Sequence, residues 1–277
     1  TALDKTFRYN NLITEFTTNF VLKNPNQIRK EISSPRTVET PQVFVIIDNE
    51  KESVLLEQAL QHINDQNLEN VKSVLVLGRY RDLKPHDFKS LANQFPEFSL
   101  TFRTVHGSKG LQADHVIVLG MNSGKYGFPC QRIDDPVMEL VLPEAEEFEY
   151  AEERRLFYVA CTRTKNTLYL INGIPEKGRT QSAPAPSAFL REAQAMNKPI
   201  IASDIGGSRE TVLNGKSGLL YKFNNPREFA KVINKIMKMD KQSLRLMGEL
   251  GRKNVEKKYN VDQMCQTTFT EYKKLLK

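Results

Sequence analysis

The sequence has few cysteines and no long apolar run. Cys130, Cys161 and Cys265 are far apart and odd in number, so a disulfide framework is not expected and a reducing compartment is. No apolar stretch approaches the ~18 residues of a membrane-spanning helix, and the start of the chain lacks the layout of a signal peptide. We therefore predict a cytoplasmic chain with no membrane span.

Two common kinds of ligand-binding motif are also absent. The chain has no C-x-x-C or H-x-x-x-H pair, so no metal site is predicted. It also lacks the G-x-x-x-x-G-K-[S/T] spacing with which a P-loop cradles phosphates. The net charge of +7 suggests a nucleic-acid partner, but residues 1–174 carry a net charge of −3 and residues 175–277 a net charge of +10. The positive excess therefore lies in the C-terminal part of the chain.

The distribution of apolar residues indicates an α/β fold. Short β-branched runs alternate with polar stretches of helix-forming composition, which is typical of a mainly parallel sheet covered by helices. The predicted strands are residues 43–47, 74–77, 99–104, 115–119 and 167–171. The predicted helices among them are residues 52–67, 87–93 and 144–161.

The composition changes after residue 173. Residues 174–187 are rich in Pro, Gly, Ser and Ala and predict a linker between a first domain, residues 1–173, and a second segment, residues 188–277. Two strands are too few for a complete Rossmann domain, so this segment is expected to be a partial Rossmann-like α/β fragment with C-terminal helices. Its predicted strands are 199–202 and 218–221, and its predicted helices are 188–196, 208–214, 226–239, 241–257 and 261–275.

Two segments of the first domain carry chemically informative residues. Thr104–Leu119 predicts a strand, a glycine-bearing loop with a hydroxyl, an imidazole and a lysine, and a second strand. An ordinary loop with a solvated lysine would explain Gly-Ser-Lys-Gly alone. Glu152–Lys165 fits an amphipathic helix whose Glu and Arg side chains pair on its exposed face. Such a helix accounts for Arg154, but not for Thr162–Arg163 at the junction with the next strand.

Together these two segments resemble motifs V and VI of superfamily 1 DNA helicases of the UvrD/Rep type. The family patterns run roughly T-x-H-x-[AS]-K-G-L-E and E-E-R-R-L-x-Y-V-x-x-T-R. Leu3–Asn10 resembles the motif IV region, and with Phe20–Pro25 the similarity is closest to the helicase IV branch. The resemblance spans about residues 1–172 and implies a RecA-like second motor domain.

The resemblance implies roles for individual residues. Phe7 would stack on adenine, and Arg8 and Arg163 would reach the γ-phosphate, where planar guanidinium groups stabilise the charge that spreads over the phosphate oxygens. Gln112 stands where the family usually has a Glu that accepts from the ribose hydroxyls, so this contact is expected to be weaker. The residues expected beside the DNA backbone are Thr104, His106 and Lys109.

The same resemblance implies that half of the site is missing. The phosphate-loop lysine, the acidic Mg²⁺ ligands and the residue that orients the attacking water would belong to a first motor domain preceding Thr1. The chain alone is therefore expected not to hydrolyse ATP at a useful rate. Beside that partner domain, with ATP and Mg²⁺ as cofactors, it would act on single-stranded or duplex DNA.

Residues 189–277 resemble a different family. Glu192–Val212 predicts a helix, a strand and a glycine turn, in which Gly206 and Gly207 could let a ligand approach the amides of the next helix. For a bare Gly-Gly pair, a structural turn is the simpler explanation. The whole string resembles the nucleotide-sugar domain of family 4 glycosyltransferases, in which the pattern E-x7-E contacts the donor sugar and the nucleotide ribose. Glu192 matches the ribose-binding Glu, but Pro184 replaces the first Glu, so transferase activity is not expected.

Three functions stay open at this point. The first is a helicase motor-domain fragment, the second is a nucleotide-sugar-binding fragment of a glycosyltransferase, and the third is a non-catalytic chimeric scaffold. The join at residues 174–187 looks like a splice of two unrelated proteins. A natural fusion, an engineered chimera and a concatenation of separate sequences are equally open.

Overall fold

Seven parallel strands form a single sheet. The computed structural model describes residues 5–30, 32–40, 42–65, 72–131, 148–176, 184–196, 200–204, 209, 212–222, 225–258 and 269. In chain order the strands are β1 (Val43–Lys51), β2 (Lys72–Gly78), β3 (Phe98–Thr104), β4 (Ala113–Val118), β5 (Thr164–Ile174), β6 (Ile200–Ser203) and β7 (Gly218–Tyr221). Their order across the sheet is β3-β2-β4-β5-β1-β6-β7, and every pairing is parallel.

Helices cover both faces of this sheet. They are α1 (Asn11–Val21), α2 (Glu52–Asn64), α3 (Phe88–Gln94), α4 (Ala151–Cys161), α5 (Ala188–Ala195), α6 (Pro226–Met237) and α7 (Lys241–Lys258). Apolar residues of α2, α3 and α6 are buried with one side of the strands, whereas those of α1, α4 and α5 are buried with the other side. Such burial on both faces explains why the strands are nearly continuous apolar runs.

The predicted parallel α/β class is confirmed, and each predicted strand is present. The predicted helix over residues 144–161 begins at Ala151, after Tyr150 in the left-handed conformation with a φ of 56°. Residues 144–147 of that prediction lie outside the described residues. The helix predicted over 208–214 lies largely outside them too, and 212–214 are not helical. Of the helix predicted over 261–275, only residue 269 is described.

Helix α1 was not among the predicted elements. The Asn10 side chain caps it by accepting a hydrogen bond of 3.0 Å from the Ile13 backbone N–H. Thr14 and Thr17 are buried, and their hydroxyls donate to the carbonyls of Asn10 and Ile13 at 2.8 Å each. Threonine is a weak helix former, so these buried polar positions hide the helical pattern. The cap fixes α1 next to the segment that contains Phe7 and Arg8.

The strands that follow the predicted linker extend the sheet of the first segment. In β6, Ile200 pairs with Val45 of β1, and Ile201 pairs with Ile46. The Ser203 hydroxyl also donates to a carboxylate oxygen of Asp48 at 2.6 Å. Residues 177–183 of the predicted linker lie outside the described residues, so its conformation is known only at its ends. The division into two domains stays a prediction, and the two segments share one sheet.

Candidate functional site

The predicted site residues lie at opposite edges of the sheet. All strands are parallel, so residues that precede strands share one edge, here the amino edge, and residues that follow strands share the carboxyl edge. Gln112 precedes β4 and Arg163 precedes β5, which places both at the amino edge. Thr104 ends β3 and His106 follows it, which places both at the carboxyl edge. The connection between β3 and β4 therefore runs from one edge to the other.

Arg163 lies at the amino edge, just beyond the end of α4. Its Nε–H donates to the Val159 carbonyl at 2.9 Å, its Nη1 to the Leu111 carbonyl at 3.3 Å and its Nη2 to the Thr162 hydroxyl at 3.2 Å. A cation near the last carbonyls of a helix is stabilised by the helix dipole. These bonds use three of the five N–H donors that an arginine carries, so the guanidinium is fixed and keeps donors for a further acceptor.

Arg8 and Arg163 are close enough for their positive charges to interact. Burial lowers the pKa of Arg163, and the positive charge of Arg8 lowers it further. Burial also raises the pKa of Tyr158, which forms a hydrogen bond with Tyr9. The positive charges of Arg8 and Arg163 oppose this increase. Phe7, the neighbour of Arg8, is 74% exposed. The amino edge thus combines two clustered cations with an exposed aromatic ring.

The chain segment around Arg8 is tied to the start of β5. The Asn10 side-chain amide donates to the Asn166 carbonyl at 2.9 Å, and the Arg36 guanidinium donates to the Asn166 side-chain oxygen at 2.9 Å. Gln112 is exposed at the same edge, between Leu111 and Ala113, both of which are bonded to Arg163. The structure therefore brings Phe7, Arg8, Gln112 and Arg163 to one edge of the sheet.

The carboxyl edge holds the residues that were predicted to contact DNA. His106 and Lys109 are exposed, and Thr104 accepts a hydrogen bond of 3.2 Å from the Gly107 backbone N–H. The loop turns through a short 3-10 helix, His106–Ser108, in which the buried Ser108 hydroxyl donates to the Val105 carbonyl at 2.6 Å. These bonds fix the backbone and leave the imidazole and the ammonium group facing solvent.

An ion pair between Arg79 and Glu153 connects the carboxyl edge to α4. The sequence pattern did not predict this pair. The Arg79 guanidinium donates to both carboxylate oxygens of Glu153, with distances of 2.7–3.1 Å. Its Nη1 lies 3.4 Å from Nδ1 of His106. The Glu153 carboxylate also accepts from the Cys130 backbone N–H at 3.0 Å. A lone arginine directly after a buried strand, where side chains reach the carboxyl edge, was the available signal.

Glu192 lies apart from both groups and faces the first segment. Its two carboxylate oxygens accept hydrogen bonds from Nη1 and Nη2 of Arg154 at 2.7 Å each, and Lys23 Nζ lies 3.2 Å away. Although burial raises the pKa of Glu192, the bonds and charge of Arg154 lower it below the usual value. A ribose hydroxyl would have to compete with Arg154 for this carboxylate. Gly206 and Gly207 lie outside the described residues.

The interpretation of Arg154 as a surface residue was wrong. Arg154 is only 4% exposed, and its guanidinium donates to the Phe20 carbonyl at 3.1 Å. The guanidinium carbon lies 4.6 Å from the ring centroid of Phe20 and 5.2 Å from that of Phe189. Partners from α1 and α5, which a helical repeat cannot reveal, draw the side chain inward.

Two further findings concern only the described ranges. No group of three or more His, Cys, Asp and Glu side chains in them is placed to hold a metal ion. None of the helices in them combines the length and apolar character needed to cross a membrane.

Comparison with protein families confirms both resemblances. Residues 83–173 match the UvrD-like helicase C-terminal domain, and residues 184–254 match the group 1 glycosyl transferases. DNA helicase IV of Escherichia coli is 33% identical over 169 residues, which are 61% of this chain and 24% of that protein. The ATP-dependent DNA helicase PcrA of Staphylococcus epidermidis is 29% identical over 172 residues, 56% of this chain and 21% of PcrA. The chain thus spans about a quarter or less of these relatives.

Two solved structures are also similar to the chain. The C-terminal domain of a possible DNA helicase from Lactobacillus plantarum has a TM-score of 0.36 at 14% identity, covering 67% of this chain and 92% of that one. Anabaena HepE in complex with UDP and glucose has a TM-score of 0.32 at 16% identity, covering 81% of this chain and 53% of that one. The family matches at residues 83–173 and 184–254 show a helicase-like segment followed by a glycosyltransferase-like segment.

Proposed function

We propose that the chain acts as the second motor domain of an ATP-dependent superfamily 1 DNA helicase. The observation that carries this proposal is the charge interaction between Arg8 and Arg163 at the amino edge, where Phe7, next to Arg8 in the chain, is exposed. Like charges repel, so two neighbouring guanidinium groups favour an anion between them. Within the described part of the chain, neither group is bonded to a carboxylate, which leaves this role to a ligand.

The amino edge fits a nucleoside triphosphate but not its metal. Phe7 offers a flat face to a base, and the two arginines offer charged donors to a terminal phosphate, where they would stabilise the charge of the transition state. None of Phe7, Arg8, Gln112 and Arg163 offers a carboxylate, the side-chain ligand that Mg²⁺ prefers. The helicase resemblance assigns those carboxylates to a phosphate-loop domain, beside which this chain would complete the site.

The carboxyl edge suits the backbone of DNA. The exposed imidazole of His106 and ammonium group of Lys109 are carried by a loop whose Gly107 amide and Ser108 hydroxyl are held internally. Because the loop backbone is already ordered, binding a phosphate there would cost little additional backbone entropy. Helix α4 joins the two edges, since Glu153 in its first turn contacts Arg79 and Arg163 follows its last turn.

The test is a fusion in which the full chain follows the first motor domain of E. coli DNA helicase IV. Arg8→Ala should lower the kcat of DNA-stimulated ATP hydrolysis on the order of 10³-fold, because the arginine stabilises the transferring phosphoryl group. Its side chain is exposed, so the melting temperature should not change. Arg155→Ala removes an exposed arginine of α4 and is the matched control.

Arg163→Lys complements this test. Lysine retains the positive charge but cannot reproduce the planar fork of donors. The kcat of the Arg163→Lys fusion should therefore be about as low as that of the Arg8→Ala fusion. If the Arg8→Ala fusion turns over ATP as fast as the unmodified fusion, the arginine pair is not part of an ATP site.

The nucleotide-sugar alternative is tested separately. Glu192 is engaged with Arg154, so titration of the full chain with uridine and guanosine diphosphate sugars should release no heat at millimolar ligand. Measurable binding that is lost in Glu192→Gln would instead favour a glycosyltransferase-like nucleotide site.

A further inference from the structure

Tyr126 is presented at the tip of a tight loop on the carboxyl edge. The Gly127 backbone N–H donates to the Gly124 carbonyl at 3.0 Å, and the Phe128 N–H donates to the Asn122 carbonyl at 3.2 Å. A Cβ atom on Gly127 would lie 1.8 Å from the Asn122 oxygen, so the loop closes as far as a glycine permits. The Phe128 side chain is fully buried, whereas Tyr126 is 62% exposed. The loop is thus anchored in the core while its aromatic ring faces solvent.

Aromatic and cationic side chains surround this ring. The Tyr80 ring lies edge-on to it, with centroids 6.0 Å apart and an interplanar angle of 78°. Lys125 Nζ lies 5.8 Å from the centroid of Tyr126, and the Arg79 guanidinium carbon lies 5.1 Å from that of Tyr80. The Tyr80 hydroxyl donates to Cys130 Sγ at 2.9 Å, which fixes the supporting ring. Tyr126 and Lys125 are therefore the exposed members of this cluster, and the half-buried Tyr80 and the ion-paired Arg79 support them.

We propose that Tyr126 is a stacking platform for a base of single-stranded nucleic acid, with the exposed Lys125 placed for a flanking phosphate. Proteins that hold single strands combine aromatic rings, which stack on any base, with cations that follow the backbone. This proposal rests on the proposed DNA contact of the carboxyl edge, to which it adds a base-binding residue. The link is short, because Arg79 Nη1 lies 3.4 Å from His106 Nδ1.

A nucleobase fits this cluster better than a protein partner does. The buried core of a protein interface is depleted in charged residues, whereas in the described surface the Lys125 ammonium group lies beside the Tyr126 ring. A base needs only a flat face, and the charge of Lys125 can meet an adjacent phosphate.

The test measures binding of the full chain to an oligothymidine of about 16 nucleotides, which covers the usual site size. Tyr126→Ala should weaken the affinity about 5- to 100-fold, the usual contribution of one stacked base, while Tyr126→Phe should bind like the original chain. The slope of affinity against salt should stay unchanged, because no phosphate contact is removed. Ile28→Ala, at an 82% exposed apolar residue elsewhere, is the matched control.

An oligonucleotide without bases separates stacking from charge. It keeps every phosphate, so the original chain and Tyr126→Ala should bind it equally weakly. The chain contains no tryptophan, so Tyr126→Trp introduces a single tryptophan, which can be excited apart from the tyrosines and whose emission a stacked base should quench. Ile28→Trp should show no quenching.

The outcomes distinguish the stacking role of Tyr126 from the proposed DNA contact of the carboxyl edge. If Lys109→Gln weakens binding and Tyr126→Ala does not, the platform is wrong and the DNA contact stands. An equal loss by Tyr126→Ala on the oligonucleotide without bases would show that the ring only supports the loop, which also overturns the platform. If the original chain binds no single-stranded DNA, the platform and the proposed DNA contact both fail.

Discussion

Glu52 is a carboxyl group that the fold removes almost completely from water. It is 1% exposed at the start of α2, where it accepts a hydrogen bond of 3.0 Å from the Gly120 backbone N–H. Burial raises its pKa to about 8, and the nearby charge of Glu176 contributes to the shift. A carboxyl in such surroundings is stable when it is protonated, since a buried charge without a cation is costly.

The position of Glu52 predicts a pH-dependent stability. The unfolded pKa is near 4.5 and the folded value is about 8, so the contribution of Glu52 is fully present below 4.5 and is lost as the pH rises through 8. The free energy of unfolding of the original chain, relative to Glu52→Gln, should therefore fall between pH 5 and pH 8. Melting temperatures can measure it, since about 1 kcal/mol corresponds to roughly 2–4 °C in proteins of this size range.

Two internal comparisons make this measurement specific. The pKa values of His62 and His115 are lowered to about 4 by burial, so their contribution rises with pH from 4 to 6.5, opposite to that of Glu52. The original chain and Glu52→Gln both contain these histidines. The histidine contribution therefore cancels in the difference between their free energies of unfolding. Glu57→Gln, at an exposed position of α2, should leave the pH profile of the original chain unchanged. Parallel pH profiles of the original chain and Glu52→Gln would contradict the raised pKa.

Helices α1, α4 and α5 meet at a buried ion pair. Arg154 from α4 has a side chain that is 5% exposed and binds both oxygens of Glu192 from α5, and its guanidinium also faces the rings of Phe20 and Phe189. Removing one member of a buried pair commonly costs about 3–5 kcal/mol. Without Glu192 the buried guanidinium would lack its carboxylate, and without Arg154 the carboxylate would keep only the ion pair with the partly exposed Lys23. The glycosyltransferase-like segment thus neutralises a cation of the helicase-like segment.

A double-mutant cycle should detect this coupling between the segments. Arg154→Met and Glu192→Gln should each lower the free energy of unfolding, and the double variant should lose about 1–3 kcal/mol less than the sum of the two, because neither buried charge is then left without its partner. Urea denaturation provides the measurement. The exposed pair Arg209–Asp204 serves as the control and should show little coupling. Additive losses at Arg154 and Glu192 would mean that the pair does not join the segments.

The elements differ in how far the sequence could predict them. The β-branched runs of β1, β2 and β4 are recognisable because strands buried on both faces need only apolar residues. The helical pattern of α1 is concealed by threonines that bond to their own backbone, and the burial of Arg154 depends on a residue distant in the chain, Glu192. Local patterns specify elements, whereas the partners of a charged side chain are decided by packing.

At the scale of the whole molecule, β6 and β7 complete a sheet that the preceding segment leaves open. Without them, the edge of β1 would expose the backbone groups of Val45 and Ile47, and an uncovered strand edge promotes aggregation. The order of the motifs allowed the prediction of two segments that resemble different families. It did not allow the prediction that β1 of the first segment pairs with β6 of the second. Pairing between β1 and β6 joins residues about 155 positions apart, as in the contact of Ser203 with Asp48, and no local signal encodes it.

The shared sheet predicts that the two segments unfold together. A protease site inserted within residues 177–183 would cut the connection without touching a described strand. The fragments should co-elute after cleavage, because β1 pairs with β6 and Arg154 binds Glu192 across the cut. The uncut chain should show a single cooperative unfolding transition when backbone and aromatic signals are compared. A chain whose two segments resemble different families would then behave as one folding unit. Fragments that separate, with two independent transitions, would instead support the division at residues 174–187 and would make the β1–β6 contact a minor one.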